Sequence, residues 1–299
     1  MGCCSHTAAY LDKLPRFSAS APESALHSQW ITLQNCTLRY VRVGDAAASH
    51  TVVMMPDPPN TIEHMAELIG LLEKQCQVIV FEGPGFGFST PGFSYDFSIE
   101  HNAALITEFL ERLALRNVIL AFTCVAGLSA LKVAHQRPDI VSGLVLAQVP
   151  GLDGAKQWAK RVDFKGVIGT PFIGQLFLRL LRTRLTDIWY KNALSKGANR
   201  QPYTQLAIGA FRRGARFSLA SAFQALLGGS TRDADLVASQ PATVLWGTSD
   251  RSHRYTDRRA ILALVPNASM VELEGCAHFP DIEMPVEFAK SVMAVAEST

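Results

Sequence analysis

A thiol stands at residue 124, inside the stretch Leu120-Ala121-Phe122-Thr123-Cys124-Val125-Ala126-Gly127-Leu128. Ahead of it, Asn117 to Ala121 carries the apolar run Val118-Ile119-Leu120 and reads as a buried strand. Behind it, Leu128 to Ala134 reads as a helix that ends before Pro138. A strand that turns straight into a helix strains the turn residue and exposes its side chain. Small residues must follow because the helix leaves close to the strand, and Ala126 and Gly127 are small. A cysteine at the start of a helix is placed to become a thiolate nucleophile. A buried core cysteine is the alternative, and Phe122 stands where such a turn prefers a small residue.

The rest of the chain supplies elements able to hold such a turn. Trp30 to Leu33 and Thr37 to Asp45 form an alternating pair that reads as an antiparallel hairpin. The runs Thr51 to Met55, Gln77 to Phe81, Val141 to Ala147, Ala242 to Trp246 and Ser269 to Leu273 read as further strands. Helical periods cover Asn60 to Leu72, Ser98 to Leu115, Thr256 to Leu264 and Pro285 to Ala296. Strands alternating with helices over short connections predict an α/β fold, with a doubly wound, mostly parallel sheet. The rhythm breaks at Pro150-Gly151 and returns at Ala242. Residues 151–230 carry only helical patterns, such as Ile173 to Leu181 and Phe217 to Leu227. The chain is therefore divided into an arm (1–28), a core (29–150 and 231–299) and a helical lid (151–230). A short helix is expected in the arm, around Thr7 to Leu14.

With 299 residues, 48% hydrophobic and 18% charged, the chain can bury a sizeable core. No apolar run reaches the ~20 residues of a membrane span, and no secretory leader is expected. Met1-Gly2-Cys3-Cys4 suggests acylation, but the myristoylation pattern calls for Ser or Thr where His6 stands. The six cysteines, at 3, 4, 36, 76, 124 and 276, lack zinc-type spacing. A reducing cytoplasm, no metal and no cofactor are expected. The net charge of +2 conceals an asymmetry. Residues 151–230 hold thirteen Lys/Arg against three acids, a local +10 that leaves −8 on the remainder. Such a block attracts an anionic or carrier-linked small-molecule substrate. No nucleic-acid motif accompanies it, so no nucleic acid or membrane partner is expected.

At this point the residues resemble the α/β-hydrolase superfamily in its lidded form, over roughly residues 30–297. The glycine-rich loop Glu82-Gly83-Pro84-Gly85-Phe86-Gly87-Phe88-Ser89 is similar to the family's, with Glu where Asp is commoner. The resemblance implies a triad in the order nucleophile, acid, histidine. It places the nucleophile on Cys124, the acid on Asp250 of Trp246-Gly247-Thr248-Ser249-Asp250, and the base on His278 of Gly275-Cys276-Ala277-His278-Phe279-Pro280. Asp153 is the reserve acid. All three candidates fall just past predicted parallel strand ends, where doubly wound sheets place their sites. The resemblance also implies an oxyanion hole made by the Val125 N–H and a second N–H from the loop after the third strand. That loop is Met55-Pro56-Asp57-Pro58-Pro59-Asn60. The second donor falls on Pro58, which has no N–H, leaving Asp57 and the Asn60 side chain as its polar groups. Three activities follow. One is acyl hydrolysis or transfer on a small ester, lactone or thioester through Cys-His-Asp. Another is elimination by a lyase, expelling a carboxylate or similar leaving group from a natural-product-like substrate. The third is a silent binding protein. Of the lid aromatics Trp158, Phe164, Phe172, Phe177, Trp189 and Phe223, some are expected to line the pocket.

Overall fold

Continuous apolar strands with both faces covered need a sheet sandwiched between helices, since a bare face would leave half of each run in water. The computed structural model, which describes residues 2–14, 26–163 and 165–299, has that architecture. In chain order the elements begin with α1 (Gly2–Lys13), β1 (Gln29–Leu33), β2 (Cys36–Val43) and β3 (Thr51–Met55). A 3-10 turn over Ile62–Met65 runs into α2 (Ala66–Leu72), then β4 (Gln77–Phe81) and the two-residue strands β5 (Phe86–Gly87) and β6 (Thr90–Pro91). Next come α3 (Ile99–Arg112), β7 (Val118–Thr123), α4 (Ala126–Gln136) and β8 (Val141–Ala147). The stretch after β8 holds α5 (Leu152–Val162), α6 (Ile173–Ala193), α7 (Gln201–Arg212), β9 (Arg216–Phe217) and α8 (Leu219–Gly228). The chain closes with β10 (Ala242–Gly247), β11 (Ala268–Leu273), α9 (Pro280–Glu283) and α10 (Pro285–Ala296).

The main sheet runs β1-β2-β4-β3-β7-β8-β10-β11, with β6 beside β2. From β4 to β11 every pairing is parallel, while β2 is antiparallel to both β1 and β4. Alternate residues sort to opposite faces. Val53, Ile79, Leu120, Phe122, Leu144 and Val244 pack under α3 and α4. Val52, Val78, Ile119, Ala121, Val145 and Leu245 pack under α2 and α10. Phe122 has no exposed surface and meets Phe81 edge-on at 6.0 Å. Its bulk is absorbed by the core face of the sheet, so it does not crowd the turn that follows.

Several expectations shift in detail. The helix near Thr256 to Leu264 is only a 3-10 turn over Ala260–Ala263. The stretch 151–230 is not purely helical, because Arg216–Phe217 pairs antiparallel with Phe86–Gly87 of the glycine-rich loop. The arm helix is longer than expected, Gly2–Lys13; residues 15–25 of the arm and Phe164 lie outside the described residues. Glu82 explains its own departure from Asp. Its longer side chain reaches Arg39 on β2 at 3.1 Å while accepting the Phe88 N–H at 2.7 Å. Arg39, fully buried, also meets Glu63 at 2.5 Å, so one guanidinium ties the loop and the turn before α2 to the sheet.

The turn after β7 has no room for a larger residue at 127. A Cβ on Gly127 would sit 2.3 Å from Val149 Cγ2 and 2.8 Å from its Cγ1. Val149 is buried and branched at Cβ, so it has little freedom to move aside. Gly127→Ala is expected to lower unfolding stability by about 1–3 kcal/mol through overpacking. Urea unfolding, read as a drop in midpoint at unchanged slope, checks it.

Candidate active site

The parallel strands deliver their following residues to one edge of the sheet. Asp57 follows β3, Cys124 follows β7, Gln148 follows β8, Asp250 follows β10 and His278 follows β11. Cys124 has φ 52°, a left-handed conformation that L-residues rarely hold. Its N–H is anchored to the Ala147 carbonyl at 2.9 Å, and its own carbonyl accepts from Gly127 at 3.1 Å. The sulfur thereby sits at the N-terminus of α4.

His278 is fully buried between two carboxylates. Its Nδ1 lies 2.7 Å from Asp250 Oδ2, and its Nε2 lies 3.1 Å from Asp57 Oδ2. Burial alone would lower the imidazole's pKa, but the adjacent negative charges and hydrogen bonds outweigh it and raise it well above the usual histidine value. Asp250 is buried too, yet the charge and hydrogen bond of His278 hold its carboxyl well below the ordinary range. Burial pushes Asp57 upward, only partly offset by the bond to His278. The Cys124 thiol is pushed up to about 11 by burial and by the Asp57 charge, against the opposing pull of His278 and the Val125 N–H. The surroundings therefore favour a neutral thiol beside an imidazole whose two ring nitrogens each face a carboxylate.

Asp250 is held by groups on both oxygens. Gln148 Nε2 donates to Oδ2 at 2.7 Å, while Gln148 Oε1 accepts the Gly247 N–H at 2.7 Å. The Ser252 N–H and hydroxyl both donate to Oδ1 at 2.8 Å. The Trp158 indole N–H of α5 donates to that same hydroxyl at 3.3 Å. The backbone N–H of His278 donates to the carbonyl of Ala193, the last residue of α6, at 2.8 Å. Sequence reasoning passed over Gln148 and Ser252. The signal for Gln148 was a lone polar residue closing the apolar run of β8; nothing in the sequence links Ser252 to the site beyond its nearness to Asp250.

A cavity of about 430 Å³ opens above these groups. Cys124, Val125, Asp57 and Pro58 form part of its floor, and Trp158, Trp189 and Phe223 belong to its roof. Phe172 points to solvent instead, and Phe177 packs on the edge of the core. None of the thirteen cations of 151–230 lines the wall; Arg251 does, and its guanidinium is bonded to the carbonyls of Lys191, Asn192 and Leu194. Asn60 lies elsewhere. It is buried, and its Oδ1 accepts from the Tyr190 hydroxyl of α6 at 2.5 Å, a joint between helical cover and core. Asp153 is exposed in the first turn of α5.

His253, unassigned by sequence, lies nearly parallel to both Trp158 and His278, at 5.2 and 5.3 Å between ring centroids. The donor atoms of Cys124, His253 and His278 all fall within 4.8 Å of one another. This soft set could take a thiophilic ion such as zinc, with sulfur and imidazole then withdrawn from other chemistry. Three separate loops assemble it, so no motif spacing announces it.

A parallel sheet with the nucleophile-type turn, acid and histidine after β7, β10 and β11 defines a hydrolase-type α/β enzyme fold. The chain belongs to the alpha/beta hydrolase family, whose family model matches residues 40–291. It is 24% identical over 226 residues to the uncharacterised hydrolase YugF of Bacillus subtilis strain 168, covering 73% of this chain and 80% of YugF. Its fold is similar to that of haloalkane dehalogenase DbeA from Bradyrhizobium elkani USDA94, at TM-score 0.72 and 15% identity, over 91% of this chain and 99% of that one. It is also similar to a bromoperoxidase from Bacillus anthracis, at TM-score 0.67 and 17% identity, over 88% and 96% of the two chains.

Two buried histidines make the native state sensitive to acid. Burial lowers His253 to about 3 and His64 to about 4, against 6.5 for the free side chain. His64 Nδ1 accepts the Thr61 N–H at 2.9 Å, so its Nε2–H donates to the Tyr203 carbonyl of α7 at 3.0 Å. Between pH about 6.5 and 4 the unfolded chain binds these protons and the folded chain does not, so their contribution to stability falls as pH falls. A His64→Gln, His253→Gln variant is expected to lose less stability than the wild type over that window, measured by urea midpoints at stepped pH.

Proposed function

We propose that this protein cleaves or transfers the acyl group of a small, apolar ester, lactone or thioester, with Cys124 as nucleophile. The observation that carries the reading is the alignment of Asp250, His278 and Cys124 beneath the cavity, with Asp250 Oδ2 2.7 Å from His278 Nδ1. The thiol passes its proton to the pair formed by His278 and Asp57, and the thiolate attacks the acyl carbonyl. Asp250 fixes the ring tautomer and stabilises the imidazolium. The carbonyl oxygen, as it gains charge, meets the Val125 N–H. Pro58 and Pro59 offer no N–H opposite, so the Asp57 carboxyl, once it holds the proton given up by the thiol, serves as the second donor. His278 then protonates the leaving group, and water or another nucleophile releases the acyl group from sulfur. The apolar wall selects an uncharged acyl chain, and the helices over 152–228 serve as the lid that excludes water.

A second reading rests on Asp57 itself. A carboxylate facing His278 Nε2 at 3.1 Å is also a base aimed into an apolar cavity. On a substrate with an acidic C–H, the His278–Asp57 pair would remove that proton and expel a carboxylate without an oxyanion, making the enzyme a lyase.

Incubation with a medium-chain nitrophenyl ester in heavy-oxygen water, followed by mass spectrometry, tests the first reading. The acyl mass is expected on the Cys124 peptide and heavy oxygen in the released acid. Full turnover by Cys124→Ala with no adduct would end it. The two readings separate further at residue 57. For acyl transfer, Asp57→Leu is expected to lower kcat on the order of 10²–10³-fold, with Asp57→Asn falling less because its amide still donates. For elimination both variants fall equally, since an amide is no base.

A further inference from the structure

The outer side of α6 is unusual for a helix packed on a folded core. Its inner side presents Leu178, Leu185 and Trp189 to the cavity. Its outer side exposes a row of large apolar residues to solvent: Ile173 (57%), Leu176 (56%), Leu180 (72%) and Leu181. The row continues onto α1, because Leu11 and Leu176 border the same small cleft. Interleaved with it are the exposed cations Arg179, Arg184 and Lys191. The helix's one acid, Asp187, is bonded to Arg200 at 3.4 Å. Exposed leucines beside exposed cations supply the two contributions that hold a segment at a lipid interface, apolar area to bury and attraction to anionic lipid.

We propose that this face of α6, with α1 beside it, docks on the surface of an anionic phospholipid bilayer. Charge complementarity selects that occupant. Within 151–230, which carries +10 against −8 for the rest of the chain, this face itself shows Arg179, Arg184 and Lys191 to solvent, so an anionic surface is attracted to the α6 side. Two copies meeting through this face would set the Arg179, Arg184 and Lys191 of each against those of the other, which opposes self-association. Docking is peripheral, since no helix among the described residues is long and apolar enough to cross a membrane. The leucines enter the headgroup boundary while the arginines stay with the lipid phosphates. This inference does not depend on the chemistry at Cys124.

Co-sedimentation of the full chain with phosphatidylcholine vesicles, with and without phosphatidylserine, is the test. Binding is expected only where phosphatidylserine is present, and it weakens as salt rises. Leu176→Glu with Leu180→Glu is expected to weaken binding roughly tenfold or more, with the circular dichroism spectrum unchanged. Val286→Glu, an exposed apolar position on α10, is expected to bind as the wild type does. Failure to sediment with phosphatidylserine vesicles overturns the proposal, as does wild-type binding by the double variant. So does a solution dimer that Leu180→Glu dissociates, which would make a second copy the occupant.

Discussion

Cys124 holds a left-handed backbone, φ 52°, at the end of a central strand of a parallel sheet. For an L-residue that conformation costs on the order of 1–3 kcal/mol, and it persists because its surroundings leave no alternative. The strand behind it is locked into β3 and β8, its N–H is tied to Ala147, and the helix ahead packs Gly127 against Val149. The strain has a geometric product: the side chain is lifted out of the sheet plane and held at the tip of a helix. The other chemical groups are arranged around that fixed sulfur.

The electrostatics of the site follow from burying charge in an apolar setting. A carboxylate with no water must be hydrogen-bonded on every side or give up its charge. Asp250 meets the first condition, with donors from Gln148, Ser252 and His278. Asp57 has fewer partners, with His278 on one oxygen, and burial pushes its carboxyl above the ordinary carboxylate range. Two carboxyl groups on one imidazole thus acquire different characters from their surroundings alone.

The helical segment after β8 is built into the site as well as laid over it. Trp158 reaches Ser252, which holds Asp250. The end of α6 accepts the backbone N–H of His278, and Tyr190 is bonded to Asn60. Displacement of α5 or α6 would therefore loosen the acid and the histidine together. One helix, α6, consequently has two apolar sides, one against the cavity and one against solvent.

The strands, their order of alternation and the turn at Cys124 were legible in the sequence, because each is written in local periodicity. A doubly covered strand has to be an apolar run, and a tight strand-to-helix turn has to be followed by small residues. The same locality explains the one helix that faded: Thr256 to Leu264 has the period but settles as a 3-10 turn. Asp250 and His278 were marked by the motifs around them and by their places after strands. What tertiary structure alone decided is which polar groups share a proton. Asp57 was marked as a polar group of the loop after β3 but not as a partner of His278, Gln148 showed only as a polar residue closing an apolar run, and His253 carried no signature; they meet because parallel strands end at one edge. The positive charge of 151–230 was plain from composition, but its direction was not: none of those cations lines the cavity, and α6 turns Leu178, Leu185 and Trp189 toward it while Arg179, Arg184 and Lys191 face solvent. Only the packing of α5 and α6 could set that direction, since charge in a sequence has a sign but no facing.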